Sequence, residues 1–145
     1  MITLNDIVSA VKSKILGKYP GETVYTNVVP SRFERPSFLV EGLGLTLAAG
    51  STGAVELTVR LHVVCFENVD EYHNSDMDTL SAMTDAVLEH FSAPGMTVGD
   101  RWLDIGTVQA NVQLDYAEVR VPLSWDDLAA LRRRDAEQGL ADLAA

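Results

Sequence analysis

The longest regular pattern in this chain is an alternation of apolar and polar residues between Val55 and Val63. Valine or leucine fills every odd position, and a polar or charged residue fills every even one. Successive side chains on a strand point to opposite faces of a sheet, so the alternation predicts a strand with one buried face and one exposed face. Such a strand is typical of an antiparallel sheet that packs on one side only.

Three other segments carry helix-start signals, in which a hydroxyl residue precedes an acidic residue by three positions. The first helix is predicted after Thr3 and ends near Gly17, and the second is predicted after Ser75 and ends before Pro94. Apolar residues recur at spacings of three and four in both, which predicts amphipathic helices. The third signal begins at Ser124 and predicts a C-terminal helical segment.

The remaining β-rich segments complete the predicted order of elements, α-β-β-β-α-β-β-α, with a further short strand at 96–98. Strands are expected at 22–26, 37–41, 101–113 and 116–125, and the Gly-rich, apolar residues 43–53 could extend the second strand and then turn at 50–53. Strands joined mostly by hairpins predict an α+β fold, a twisted, mainly antiparallel sheet with two amphipathic helices on one face and a C-terminal helical segment. We expect one domain over residues 1–125 and a helical tail over 126–145, partly frayed or ordered by a partner.

The composition suits one globular domain, because 47% of the 145 residues are apolar and 22% are charged. The formal net charge is -10, from 21 acidic and 11 basic residues. A chain this acidic repels phosphate backbones, which argues against nucleic-acid binding. The charge either serves solubility or keeps the surface from adhering to a polyanion that passes nearby.

No catalytic or metal-binding motif stands out among the reactive side chains. Cys65 lies three positions after His62 on one predicted strand, so the two side chains point to opposite faces. His73 and His90 have no metal-ligand spacing with any other histidine. We therefore expect no enzyme activity, no metal and no cofactor.

An acidic segment imitates part of a calcium-binding loop. Its acidic and amide residues occupy positions 1, 3, 5 and 12 of that pattern: Asn74, Asp76, Asp78 and Asp85. Position 6 is Thr79 where the loop needs glycine, and position 12 is aspartate where glutamate is usual. The segment is better explained as the acidic start of a helix.

Two surface features leave alternatives open. Leu43, Leu45 and Leu47 would be exposed if the Gly-rich arm projects, which indicates a partner surface, or they pack on the second helix. The basic run at residues 132–134 could contact phosphate, although cations near a helix end are typically solvated.

The order of segments resembles the tail terminator proteins of long-tailed phages and related prophage particles. The similarity covers about residues 2–125, and residues 32–40 are its most telling part. It rests on the following segments: Thr3-Leu4-Asn5-Asp6-Ile7, Tyr19-Pro20, Phe33-Glu34-Arg35-Pro36-Ser37-Phe38-Leu39-Val40, the strand from Leu57 to Phe66, and the helix with Leu80, Met83, Val87 and Leu88. The apolar arm at 43–54 and the chain after Trp125 depart from it.

The resemblance implies a structural protein without a cofactor. It also implies that six subunits form a ring on the finished tail tube. It would end tube growth and provide the docking face for the head or neck, as part of the virion tail assembled in the host cytoplasm. Its implied partners are its own copies, the tube protein, the head or neck connector and, in a contractile tail, the sheath protein. DNA would pass through the ring without adhering, and no membrane is involved.

The residues expected at the subunit or tube interface come from the arm at 43–54, the acidic loop at 68–74 and the connector, the segment 29–36 between two predicted strands. They are Leu43, Leu45, Leu47, Asp70, Glu71, Arg32 and Arg35. Two other functions stay open. One is a small adaptor that binds a protein or a small ligand in a cleft between sheet and helices, and the other is a neck or head-completion protein.

Overall fold

The computed structural model describes residues 2–49 and 55–127. Within these ranges the chain forms two helices and seven strands. The helices are α1 (Leu4–Lys18) and α2 (Met77–His90). The strands are β1 (Thr23–Thr26), β2 (Ser37–Ala49), β3 (Val55–Phe66), β4 (Gly95–Val98), β5 (Arg101–Ile105), β6 (Gln109–Val112) and β7 (Ala117–Asp127).

The strands form one sheet built around the long strands β2, β3 and β7. The order across the sheet is β1-β2-β3-β7-β5-β4, and β6 also pairs with β7. All neighbours are antiparallel except β1, which runs parallel to β2. The far side of β7 is shared, because β6 pairs with its first residues and β5 with residues near its end.

The core lies between one face of this sheet and the two helices of the described chain. The odd-numbered residues of β3 face the core, and Val59 and Val63 are fully buried there. Ile7 and Val11 of α1 and Val87 of α2 belong to the same buried cluster. The alternation predicted from the sequence is therefore confirmed, and apolar burial on this face supplies the main favourable term in folding.

The predicted α+β class was wrong. The structure is mostly β, with 45% strand and 24% helix, and its sheet curls into a half-barrel. β2 continues to Ala49, as the Gly-rich residues allowed, and β7 continues through residues predicted to start a helix. The predicted turn at 50–53 lies outside the described residues.

The strand predicted over 101–113 is divided into β5 and β6, and Pro122 of β7 explains the break. Pro122 has no N–H, and its carbonyl oxygen accepts a hydrogen bond from the Gly106 N–H on the β5–β6 side. If the neighbouring strand continued here, the carbonyl oxygen of the residue opposite Pro122 would find no N–H to accept a hydrogen bond from. The chain leaves the ladder at 106–108 instead, which helps to curl the sheet.

The predicted start of a third helix was also wrong. Residues 124–127, which have the form of a capping box, belong to β7. Trp125 lies opposite Leu57 and is 4% exposed, so burial of its large side chain on the core face favours a strand over a helix start. The rest of the predicted tail, from residue 128, lies outside the described residues, and the division of the chain at residue 125 stays a prediction.

We expect the mutation Leu123→Ala to lower the free energy of unfolding by about 2–5 kcal/mol, because it leaves a cavity in the centre of the core. Leu123 is fully buried on β7, next to Val59. The control Leu114→Ala removes a leucine that is 67% exposed and should change stability by no more than about 0.5 kcal/mol. Urea unfolding of both variants tests the assignment, and equal losses would contradict it.

Candidate functional site

The exposed half of β2 is a free edge of the sheet. β1 covers β2 only from Ser37 to Val40, and the last backbone hydrogen bond on that side runs from the Asn27 N–H to the Val40 carbonyl oxygen. In the described chain no further strand pairs with that side of β2, so residues 41–49 expose it. An exposed, apolar strand edge is a surface on which another strand can pair.

A β-bulge at Leu43 changes which side chains face the core along this edge. Gly42 lies opposite Leu61 and Gly44 opposite Arg60, so Leu43 is an extra residue. The glycines permit close contacts: a Cβ on Gly42 would meet the Leu4 side chain at 2.6 Å, and one on Gly44 would meet an Arg60 guanidinium nitrogen at 3.0 Å. The bulge therefore depends on two positions that have no side chain.

Beyond the bulge the leucines of the arm continue the core face of the sheet. Leu45 lies opposite Val59 and Leu47 opposite Leu57, and directly opposed residues share a face. Leu45 is 50% exposed and Leu47 47% exposed, whereas Val59 and Leu57 are buried. The arm thus extends the apolar face beyond the part that the subunit covers itself.

The other face of the sheet carries a charged array that crosses three strands. His62 Nδ1 lies 3.0 Å from Glu41 Oε1 on β2, and its Nε2 lies 2.6 Å from Glu118 Oε2 on β7. Arg120 Nη2 lies 2.9 Å from the second oxygen of Glu118. Each ring nitrogen of His62 thus lies within hydrogen-bond distance of a carboxylate on a neighbouring strand.

Burial acts to raise the pKa of Glu118, but the hydrogen bond and charge of His62, aided by Arg120, outweigh it and lower that pKa below its ordinary value. The array therefore joins the three long strands by charge-assisted hydrogen bonds. Next to it lies a hollow of about 290 Å³, lined by Leu43, Arg60, Leu61, Thr107, Gln109, Arg120, Val121 and Pro122. Its lining has no carboxylate, thiol or imidazole for acid–base or nucleophilic chemistry.

Arg35, one of the predicted interface residues, is bound within its own subunit. Its Nη1 donates to the carbonyl oxygens of Glu67, at 2.9 Å, and Asp115, at 2.7 Å. Its guanidinium carbon lies 4.9 Å from the centre of the Phe33 ring and 5.3 Å from that of Phe66. Arg35 thereby ties the connector to the loops that leave β3 and enter β7.

The acidic loop is held by its own backbone contacts. Asp70 Oδ1 accepts hydrogen bonds from the Tyr72 N–H at 2.8 Å and the Asn74 N–H at 3.0 Å. The helix that follows is capped by Asp76, one residue after the predicted cap, because Ser75 is buried in a bridge with Val69. Asp70 thus serves as a turn acceptor, and Asp76 of the calcium-like pattern serves as the helix cap by accepting from the Asp78 N–H.

The predicted interface residues form two groups at opposite ends of β3. Leu43, Leu45 and Leu47 lie on the arm, whereas Arg32, Arg35, Asp70 and Glu71 lie near the end of β3 at Phe66. The distance from Leu57 to Phe66 along a strand is about 30 Å. Leu45 and Leu47 of the arm are therefore separated along the sheet from the contacts of Arg35, and Arg32 and Glu71 are exposed.

Cys65 and His62 do not form a pair. Cys65 is fully buried in the core, and burial raises the pKa of its thiol to about 12, with a hydrogen bond from Thr84 acting the other way. As predicted, His62 lies on the opposite face. Within residues 2–49 and 55–127, no three His, Cys, Asp or Glu side chains could share a metal ion.

Sequence reasoning missed the charged array and the edge formed by β6. The alternation placed His62 and Arg60 on the exposed face, but their partners come from strands distant in sequence. The sequence did contain a sign of the β6 edge, because residues 105–114 carry no charged side chain.

The family comparison decides between the remaining kinds of protein. A family model described as "Phage tail terminator protein" matches residues 6–127, most of the chain. The chain belongs to the phage tail terminator family. A search of curated proteins found no match.

The resemblance seen in the sequence is thereby confirmed. Tail terminators are structural components of phage tails, so this chain is a virion assembly protein. No helix in the described ranges is long and apolar enough to cross a bilayer.

The role of Arg35 can be tested with a conservative pair of mutations. Arg35→Lys keeps the charge but loses the fork that reaches two carbonyl oxygens, so we expect the free energy of unfolding to fall by about 1–3 kcal/mol. Arg32→Lys changes an exposed arginine and should shift it by no more than about 0.5 kcal/mol. Thermal unfolding distinguishes them, and a fully stable Arg35→Lys would show that the contacts contribute nothing.

The charged array predicts a pH dependence of stability. Because the folded-state pKa of Glu118 lies below its ordinary value of 4.5, this carboxylate stabilises the fold above that pH, and the contribution disappears as pH falls through the folded-state pKa. Glu118→Gln should lower the free energy of unfolding by about 1–2 kcal/mol at pH 7 and by much less at pH 3. Urea unfolding at both pH values, with the exposed Glu56→Gln as control, measures this. A loss independent of pH would contradict the electrostatic explanation.

Proposed function

We propose that this protein caps the tail tube as a ring of six subunits, ends tube growth and provides the face on which the head or neck docks. The family match over residues 6–127 carries the proposal. Partners of the ring are the tube protein on one face and the head or neck connector on the other. In a contractile tail the sheath protein would be a further partner, and assembly would take place in the host cytoplasm.

Two structural features support an assembly role. Three leucines of the arm, Leu43, Leu45 and Leu47, are 47–50% exposed on a strand edge, although a monomer would normally protect such an edge. The hollow beside the charged array also has no carboxylate, thiol or imidazole in its lining.

The acidic composition supports passage of DNA through the ring. A net charge of -10 repels phosphate, so DNA would cross the lumen without being held. The charge also makes identical copies repel one another, so the subunit contacts would use the uncharged parts of the surface.

The proposal predicts how binding to tubes depends on tube length. If purified tube protein is polymerised with this protein, tubes should stop growing and carry a ring at one end in electron micrographs. The bound amount should follow the number of tube ends and stay constant when the same number of tubes is made longer. A sheath-like component would instead bind in proportion to length.

The control is the same polymerisation with the protein unfolded by heat. Tubes that keep growing with bare ends while the folded protein stays in solution would contradict the proposal. Binding only to tubes that already carry another cap would favour the alternative, a neck or head-completion protein.

A further inference from the structure

The sheet has a second free edge, on the side opposite the arm. β6 pairs with β7 through Gln109–Val112, and no other strand in the described residues pairs with it. All four of its side chains are exposed. The free parts of β2 and β6 therefore lie on opposite sides of the three-strand centre of one sheet.

The hydrogen-bond pattern shows which backbone groups each edge presents. The Val40 carbonyl oxygen points away from β3, toward Asn27. Since opposed antiparallel residues alternate in direction, the register across the bulge also points the backbone of Leu45, Leu47 and Ala49 away from β3. Among residues 2–49 and 55–127, no backbone partner pairs with the outward N–H and carbonyl oxygen of these residues.

The same reasoning applies to β6. The Gln113 N–H donates to the Tyr116 carbonyl oxygen, so Gln113 and Asn111 direct their backbone groups toward β7. Ala110 and Val112 then direct theirs outward. Ala110 lies opposite Val119, which is buried, so the side chains of Ala110 and Val112 lie on the core face of the sheet.

The two edges are chemically complementary. On each, the residues with outward backbone groups carry apolar side chains on the core face, and Leu47 and Val112 are 47% and 43% exposed. Residues 42–55 and 105–114 carry no charged side chain, so two copies of net charge -10 can meet there with the least repulsion. Joining the edges would continue one apolar face from copy to copy.

We propose that copies of this chain join edge to edge, with the outward backbone of Leu45 and Leu47 in one copy pairing with that of Ala110 and Val112 in the next. Two different edges make a head-to-tail contact, which closes into a ring when its rotation allows. The edges are displaced along the strands by about 20 Å, so strands of successive copies would be tilted to the ring axis, as in a closed barrel. The inference rests on the ring proposed above and names the surfaces that form it.

Two proline mutations test the two edges separately. Leu47→Pro and Ala110→Pro each remove an outward N–H and leave the pairing inside the subunit intact, because proline is tolerated on a free strand edge. Each variant alone should stay monomeric by light scattering. The controls Leu47→Ala and Ala110→Ser keep the N–H and should still form the ring, Leu47→Ala at a higher protein concentration because it loses apolar contact. Thermal unfolding shows that all four variants fold.

Mixing the two proline variants gives the decisive result. Each keeps the edge that the other lacks, so the mixture should form a one-to-one heterodimer and no ring. Assembly of either proline variant to the wild-type size overturns the proposal, as does a mixture that stays monomeric. A symmetric contact between two β2 edges is excluded if Ala110→Pro fails to assemble.

Amide hydrogen exchange gives a second test, on the assembled wild type. Amides of Leu45, Leu47, Ala110 and Val112 should become protected on assembly, whereas Thr46 and Asn111 are already protected in the monomer. Rings in which the outward amides exchange freely would overturn the edge pairing and leave the tube-capping function standing. Edge-paired rings that do not stop tube growth would overturn the tube-capping function and leave the edge pairing standing. A wild type that is monomeric at every concentration would overturn the pairing.

Discussion

The register of β3 between β2 and β7 is the constraint on which the rest of the structure depends. Directly opposed residues share a face, so Val59 lies between Leu45 and Leu123, and His62 lies between Glu41 and Arg120. A single alternating strand therefore organises both the apolar face under the helices and the charged array opposite. A slip of one residue would bury the charges and expose the core, which is why the register is strongly specified.

The bulge at Leu43 shows how the same constraint produces an interaction surface. Before it, the even residues Phe38 and Val40 face the core, and after it the odd residues Leu45 and Leu47 do. If Leu43 were paired regularly and no bulge formed, the register would shift by one residue and the two leucines would point to the charged face. The bulge keeps them on the apolar face beyond the cover of the helices, and this makes the arm a candidate contact between subunits.

The sequence was informative where the local pattern and the packing agree. The alternation of β3 and the apolar faces of both described helices were recognised because each is a property of neighbouring residues. The family resemblance was recognised from the order of such segments. The class was wrong because residues 124–127 satisfy a local helix signal, whereas Trp125 gains more by burial opposite Leu57. The interface residues stay a prediction: the three leucines of the arm are exposed, whereas Arg35 and Asp70 make contacts within their own subunit.

The sequence by itself determined the amphipathic elements, the acidic charge and the membership of a family of structural tail proteins. Only the tertiary structure decided which strand edges stay free and which charges meet across the sheet, such as His62 with Glu118. It also decided that Pro122 divides its neighbour into β5 and β6. The physical reason is that periodicity is set by adjacent residues, whereas pairing and burial depend on partners that lie far away along the chain.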